Sequence, residues 1–128
     1  MAEWSREWLM ELSVMKCKVM HCGKNNPQAT YTMRDKNDVS ILLETTSRER
    51  DLGVIITPDL KWHDQVCHAS SSATRILNML RNTFTTRDSR IWKQLYTAYV
   101  RPRLEFAVSV WSPYLKGDIK LLQRVQHR

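Results

Sequence analysis

The chain has 128 residues, 42% of them hydrophobic, with 20 Lys and Arg against 13 Asp and Glu for a net charge of +7. That is enough chain to bury a core, and far too little for the fingers, palm and thumb of a complete nucleic-acid polymerase. No apolar run approaches the roughly 20 residues that span a bilayer, and the start Met1-Ala2-Glu3-Trp4 has no apolar signal core, so no membrane partner and an intracellular location, nuclear or cytoplasmic, are expected.

Trp4, Trp8, Leu9 and Leu12 recur at helical spacing and predict a short helix with no capping residue at its start. A strand is expected over Lys16 to Cys22, followed by a turn at Gly23-Lys24-Asn25-Asn26-Pro27. Tyr31-Thr32-Met33 and Val39 to Leu43 flank a polar stretch and predict a hairpin over 31–43. Leu52-Gly53-Val54-Ile55-Ile56 is a further β-branched run, closed by the turn residues Thr57-Pro58-Asp59.

From Trp62 the period becomes helical. Val66, Ala69, Ala73, Ile76, Leu77, Leu80 and Phe84 form one stripe. Thr85 with Asp88 reads as a capping segment for a helix from Ser89, with Ile91, Leu95 and Ala98 facing inward. Pro102 predicts a kink or break near Val100 and Arg101. Helical spacing resumes with Leu104, Ala107, Val108 and Trp111. A last helix starts with Asp118 as N-cap and turns Ile119, Leu122 and Val125 inward. It ends at Arg128 without a terminator, which, with the uncapped start, suggests a piece of a longer protein.

The expected fold class is therefore α+β: small antiparallel sheets or hairpins over about 16–57, then a helical bundle over about 62–128. The composition shift divides the chain into residues 1–61 and a basic helical domain, 62–128. Residues 1–60 carry 8 basic and 9 acidic side chains, a net of −1, whereas residues 61–128 carry 12 and 4, a net of +8. A charge so placed points to an anionic partner, most often nucleic acid. Arg90, Lys93, Thr97 and Arg101 share one face of the helix after Ser89, flanked by Trp92, Tyr96 and Tyr99. Rings at helical spacing are expected in the core, which leaves the cations for contact. Lys120, Arg124 and Arg128 form a second basic stripe.

Catalytic patterns are missing: there is no Gly-rich phosphate loop, no GxSxG and no HExxH. Asp35 and Asp38 read as turn residues, and His63, Asp64, His68 and Ser70-Ser71-Ser72 as capping and helix-surface residues. Cys17, His21, Cys22, Cys67 and His68 are zinc-ligand types, but their spacing contains no CxxC pair, so free thiols buried in a packed sheet and no metal site are expected.

Several segments stand in a telling order: Trp4-x-x-x-Trp8, Lys16-Cys17-Lys18-Val19-Met20-His21, Tyr31-Thr32-Met33 and Asp51-Leu52-Gly53-Val54, then Val100-Arg101-Pro102-Arg103-Leu104-Glu105-Phe106, Trp111-Ser112-Pro113-Tyr114, Asp118-Ile119 and Leu122-Gln123-Arg124-Val125-Gln126. This order resembles the reverse transcriptases of non-LTR (LINE-type, jockey-like) retrotransposons over nearly the whole chain. Where the family usually has Phe-Asn, this sequence has Leu12-Ser13, and Phe106, Gln123 and His127 stand for a usual Tyr, Glu and Arg. The resemblance implies that residues 16–62 correspond to the last palm strands with a primer-grip-like hairpin, and 63–128 to the thumb that holds the template–primer duplex. The Asp-Asp strand that binds Mg²⁺ in the complete parent enzyme lies before the matched region.

The expectation is thus a remnant of an RNA-directed DNA polymerase, not an enzyme on its own, with no catalytic or metal-binding residues and no cofactor. It would bind RNA or an RNA–DNA duplex through Arg90, Lys93, Arg101, Lys120, Arg124 and Arg128. The alternative is a non-catalytic interaction or structural fragment that self-associates through an exposed apolar or strand-edge surface.

Overall fold

A computed structural model describes residues 4, 7–10, 12–35, 37–86 and 88–127. The chain is α+β, and it forms two compact units: Met1–Glu49 with Thr57–Asp59, and Arg50–Ile56 with Leu60–Arg128. The sequence places the boundary at 61/62; in the structure the strand at 54–56 belongs with the helices. The reason is apolar: Val54 is buried in one cluster with Val66, Ala69 and Trp111.

In the first unit, Trp8 N–H donates to the Trp4 carbonyl (3.0 Å), one turn of the helix expected over Trp4–Leu12. Leu9 follows with φ +52, a conformation that does not continue a helix. Trp4 and Trp8 are 50% and 63% exposed, so this turn buries little. Met10 and Leu12 are not helical either, and residues 5, 6 and 11 of that expectation lie outside the described residues. Val14–Lys16 forms a single 3₁₀ turn. Only Lys18–Val19 (β1) of the strand expected over 16–22 is paired, and its partner is Glu44–Thr45 (β4).

That pairing is parallel, with Lys18 opposite Glu44 and Val19 opposite Thr45, where an antiparallel arrangement is expected. The intervening hairpin supplies the crossover that parallel strands need. It consists of Thr32–Arg34 (β2) and Ser40–Leu42 (β3), antiparallel, with Met33 opposite Ile41. Its tip is Asp35 to Asp38: Asp38 N–H donates to Asp35 O and Asp35 N–H to Val39 O, both at 2.9 Å. Asp38 has φ +60, a region that Asp tolerates better than most residues, and its carboxylate pairs with Arg34 at 3.0 Å. The turn at 23–27 is held by Asn26, whose Oδ1 accepts from Gln28 N–H (2.9 Å).

The second unit takes in residues 50–51 of strand Glu49–Asp51 (β5) and all of Val54–Ile56 (β6), which pair through the turn Leu52-Gly53. Both turn residues have positive φ, +45 and +90, as a tight hairpin turn requires. His63–Thr83 forms the long helix α1. Val66, Ala69, Ala73, Leu77 and Leu80 of the expected stripe are buried, whereas Phe84 lies past the helix end and is 39% exposed. Gln65 is also buried, and its Oε1 accepts from Ile55 N–H at 2.9 Å, tying α1 to β6.

Ser89–Leu95 (α2) is capped by Asp88, not Thr85: the Asp88 carboxylate accepts from Arg90 N–H at 2.8 Å. A carboxylate reaches the second amide of a helix more strongly than a hydroxyl does. No break follows at Val100. Tyr96–Val100 is instead a π-helical segment that leads into Arg101–Glu105 (α3). Arg101 N–H donates to Tyr96 O, five residues back, a wider ladder into which the missing N–H of Pro102 is absorbed.

Ile91 and Ala98, expected inside, are exposed, while Val100 and Leu104 are buried. Helical structure ends at Glu105, and Ala107 has φ +53. Trp111 is fully buried, and its indole N–H donates to Phe106 O at 2.8 Å. Lys116–Gln126 (α4) begins two residues before Asp118, with Leu115 as its N-cap. Val125 is buried and Leu121 and Leu122 are half-buried, but Ile119 is exposed. Two apolar clusters result: Ala73, Leu77, Leu80, Val100, Leu104 and Val125 in one, and Val54, Val66, Ala69 and Trp111 in the other.

Candidate nucleic-acid interface

The cations singled out from the sequence lie on helices that share a core. Trp92, Leu95 and Tyr96 of the α2–π stretch and Leu122 and Val125 of α4 all pack in the first cluster. Their opposite faces carry Arg90, Lys93, Lys120 and Arg124, all exposed. Among the described residues none of these four is ion-paired. Arg128 lies outside the described residues.

Arg101 differs. Its Nε donates to Glu105 Oε1 at 2.7 Å, and this bond with the Glu105 charge holds its guanidinium more firmly protonated. Its charge is thus partly answered within its own helix. The π segment also delays the helical rotation between Lys93 and Arg101, so the single face drawn on an ideal helix does not extend to Arg101. Sequence spacing assumes four residues per hydrogen-bonded turn and has no signal for this.

The acidic side chains nearby are used locally. Asp88 caps α2, Glu105 pairs with Arg101, and Asp118 pairs with His63. Exposed cations of the described residues 61–127 that were not singled out from the sequence are Lys61, Arg75, Arg81, Arg103 and Lys116. Of the rings, Trp92 and Tyr96 are half-buried, with the Trp92 indole N–H donating to Thr86 O at 2.7 Å. Tyr99 departs from the expected core position and is 55% exposed.

A second constellation joins residues far apart in sequence. His63 Nδ1 lies 2.6 Å from Asp118 Oδ1, and His63 Nε2 lies 3.5 Å from Cys67 Sγ. Asp118 was expected as an N-cap; instead its side chain, 6% exposed, points to an imidazole that is 60% exposed. The hydrogen bond that the ring N–H donates to Asp118, and then the Asp118 charge, raise the His63 pKa above the usual 6.5. The order thiol, imidazole, carboxylate has the form of an activated nucleophile. The thiol itself does not fit: burial, then the Asp118 and Asp64 charges, push the Cys67 pKa up and keep it protonated. The arrangement serves to neutralise a buried carboxylate.

No hydrogen bond links His68 to Ser71 or Ser72 among the described residues, and the buried Ser70 hydroxyl has no partner. All three cysteines are free, but none is fully buried: Cys17 and Cys67 are half-buried and Cys22 is exposed. Among the described residues no three His, Cys, Asp or Glu side chains come together to hold a metal ion. No helix of the described residues is long and apolar enough to cross a membrane. No protein family, curated protein or solved structure matches this chain.

Proposed function

We propose that this chain is a non-catalytic nucleic-acid-binding remnant of an RNA-directed DNA polymerase of the non-LTR retrotransposon type. Its basic helical unit grips RNA or an RNA–DNA duplex through phosphates, and it needs no metal of its own to do so. The observation that carries this reading is the set of four exposed cations on α2 and α4 with no ion-pair partner among the described residues, while the nearby carboxylates Asp88, Glu105 and Asp118 are taken up locally. Unpaired Lys and Arg release counterions on meeting phosphates, and that gain is indifferent to base sequence.

The test is charge reversal of Lys120 and Arg124 to Glu. Affinity for every duplex sequence is expected to fall alike, and the slope of log affinity against log salt to flatten by about one for each lost contact. Unchanged affinity at low salt sinks the reading.

A second reading, self-association, is favoured by one feature. The described strands form only two-stranded pairs, so each leaves an outer edge open, and Val110 and Tyr114 stand 61% and 65% exposed. Sedimentation that shifts with protein concentration, with no shift on adding RNA, favours that reading instead.

A further inference from the structure

An open pocket of about 360 Å³ lies in the second unit, and none of the cations assigned to duplex binding lines it. Its lining includes Arg50 of β5, Gly53 of the hairpin turn, His68 of α1, Tyr99 of the π segment, Arg103 of α3 and Phe106 just after it. Three separate stretches of chain, 50–53, 65–72 and 98–106, thus contribute. No Asp or Glu lines it. Neither Arg50 nor Arg103 is ion-paired among the described residues. Two guanidiniums line one cavity with no counter-charge in the lining, which suits an anion.

The same cavity is aromatic. Tyr99 and Phe106 are 55% and 52% exposed, unusual for rings with nothing to cover them. Gly53 makes the arrangement fit. A Cβ there would stand 2.8 Å from Phe106 Cε1, so only glycine lets the ring lie against the hairpin turn. Guanidiniums bind phosphate oxygens as two-pronged donors, and flat rings stack on bases. The volume falls in the range of small-ligand sites.

We propose that this pocket is a nucleotide site, in which Arg50, Arg103 and His68 hold a phosphomonoester and Tyr99 and Phe106 hold the attached base. The chemistry is that of a mononucleotide or of the 5′-phosphorylated end of a strand. It stands apart from the duplex-binding reading, because none of its residues is among the α2 and α4 cations.

Calorimetric titration of the full chain with AMP, adenosine and inorganic phosphate tests it. AMP is expected to bind about tenfold or more tightly than either fragment, since charge-assisted bonds and stacking add only when joined. Arg50→Gln and Arg103→Gln, both at exposed side chains, are each expected to weaken AMP about tenfold while leaving the circular dichroism melt unchanged. Phe106→Leu, which keeps apolar bulk, is expected to bring AMP down to the affinity of phosphate alone. The Lys120→Glu, Arg124→Glu variant keeps AMP binding whether or not it loses duplex binding, so the two readings fail separately. A 5′-phosphorylated oligonucleotide that outcompetes AMP, against a 5′-hydroxyl twin that does not, identifies the strand end as the source; equal competition identifies the free nucleotide. Adenosine binding as tightly as AMP, or AMP bound equally by the arginine variants and the unaltered chain, overturns the proposal.

Discussion

Asp118 has its side chain held almost out of water, 2.6 Å from the His63 imidazole. Because that contact raises the His63 pKa, the folded state binds a proton more tightly than the unfolded chain does. The linked stability is fully present below the unfolded value of about 6.5 and is lost as pH rises through the higher folded value. Melting curves should therefore show a higher Tm at about pH 6 than at about pH 8.5, and Asp118→Asn should flatten that dependence. An equally steep dependence in the variant would contradict the assignment. The pairing spans 55 residues of sequence, and that is why it was not legible: Asp118 sits where a capping residue would, and local spacing sees only that role. The turn role of Asp35 and Asp38, in contrast, is written in adjacent residues and was readable.

Helix α1 is the element whose sequence speaks most plainly. Its apolar stripe keeps one period from Val66 to Leu80, about four turns, and the buried apolar residues are those of the stripe. Strands β4 and β5, Glu44–Thr45 and Glu49–Asp51, were invisible because neither contains an apolar residue to alternate. The stretch from Ser89 to Glu105 was half legible. Its helicity is in the spacing, but the π segment is a change of hydrogen-bond partner, which a hydrophobic period does not report. Trp111 has the opposite character. It lies outside any helix, yet it is fully buried and bonds back to Phe106 O, so it anchors the link between α3 and α4 to Val54, Val66 and Ala69. Trp111→Ala should lower the stability of the second unit by about 3–5 kcal/mol in urea or guanidinium unfolding. A loss below about 1 kcal/mol would mean that the cluster collapses around the gap.

For the whole molecule, the uneven charge is the property that matters. The net of +8 over residues 61–128 could be read from composition, and so could the cations that carry it. Which cations remain free could not be read, because this depends on where four acidic residues fold to. Glu105 draws off Arg101, whereas Asp88 turns into its own helix end and leaves Arg90 and Lys93 unopposed. The nucleotide pocket was likewise hidden, since Arg50 and Arg103 are brought together only by the hairpin packing with the helices.

The central claim is phosphate binding without sequence preference. Fluorescence anisotropy of the unaltered chain on two RNA–DNA duplexes of unrelated sequence, across a salt series, tests it most directly. Equal affinities are predicted, falling linearly in log–log form with a slope magnitude of about 3–4, as about four phosphate contacts give. No binding at low salt, or a strong preference for one duplex with little salt dependence, would contradict it.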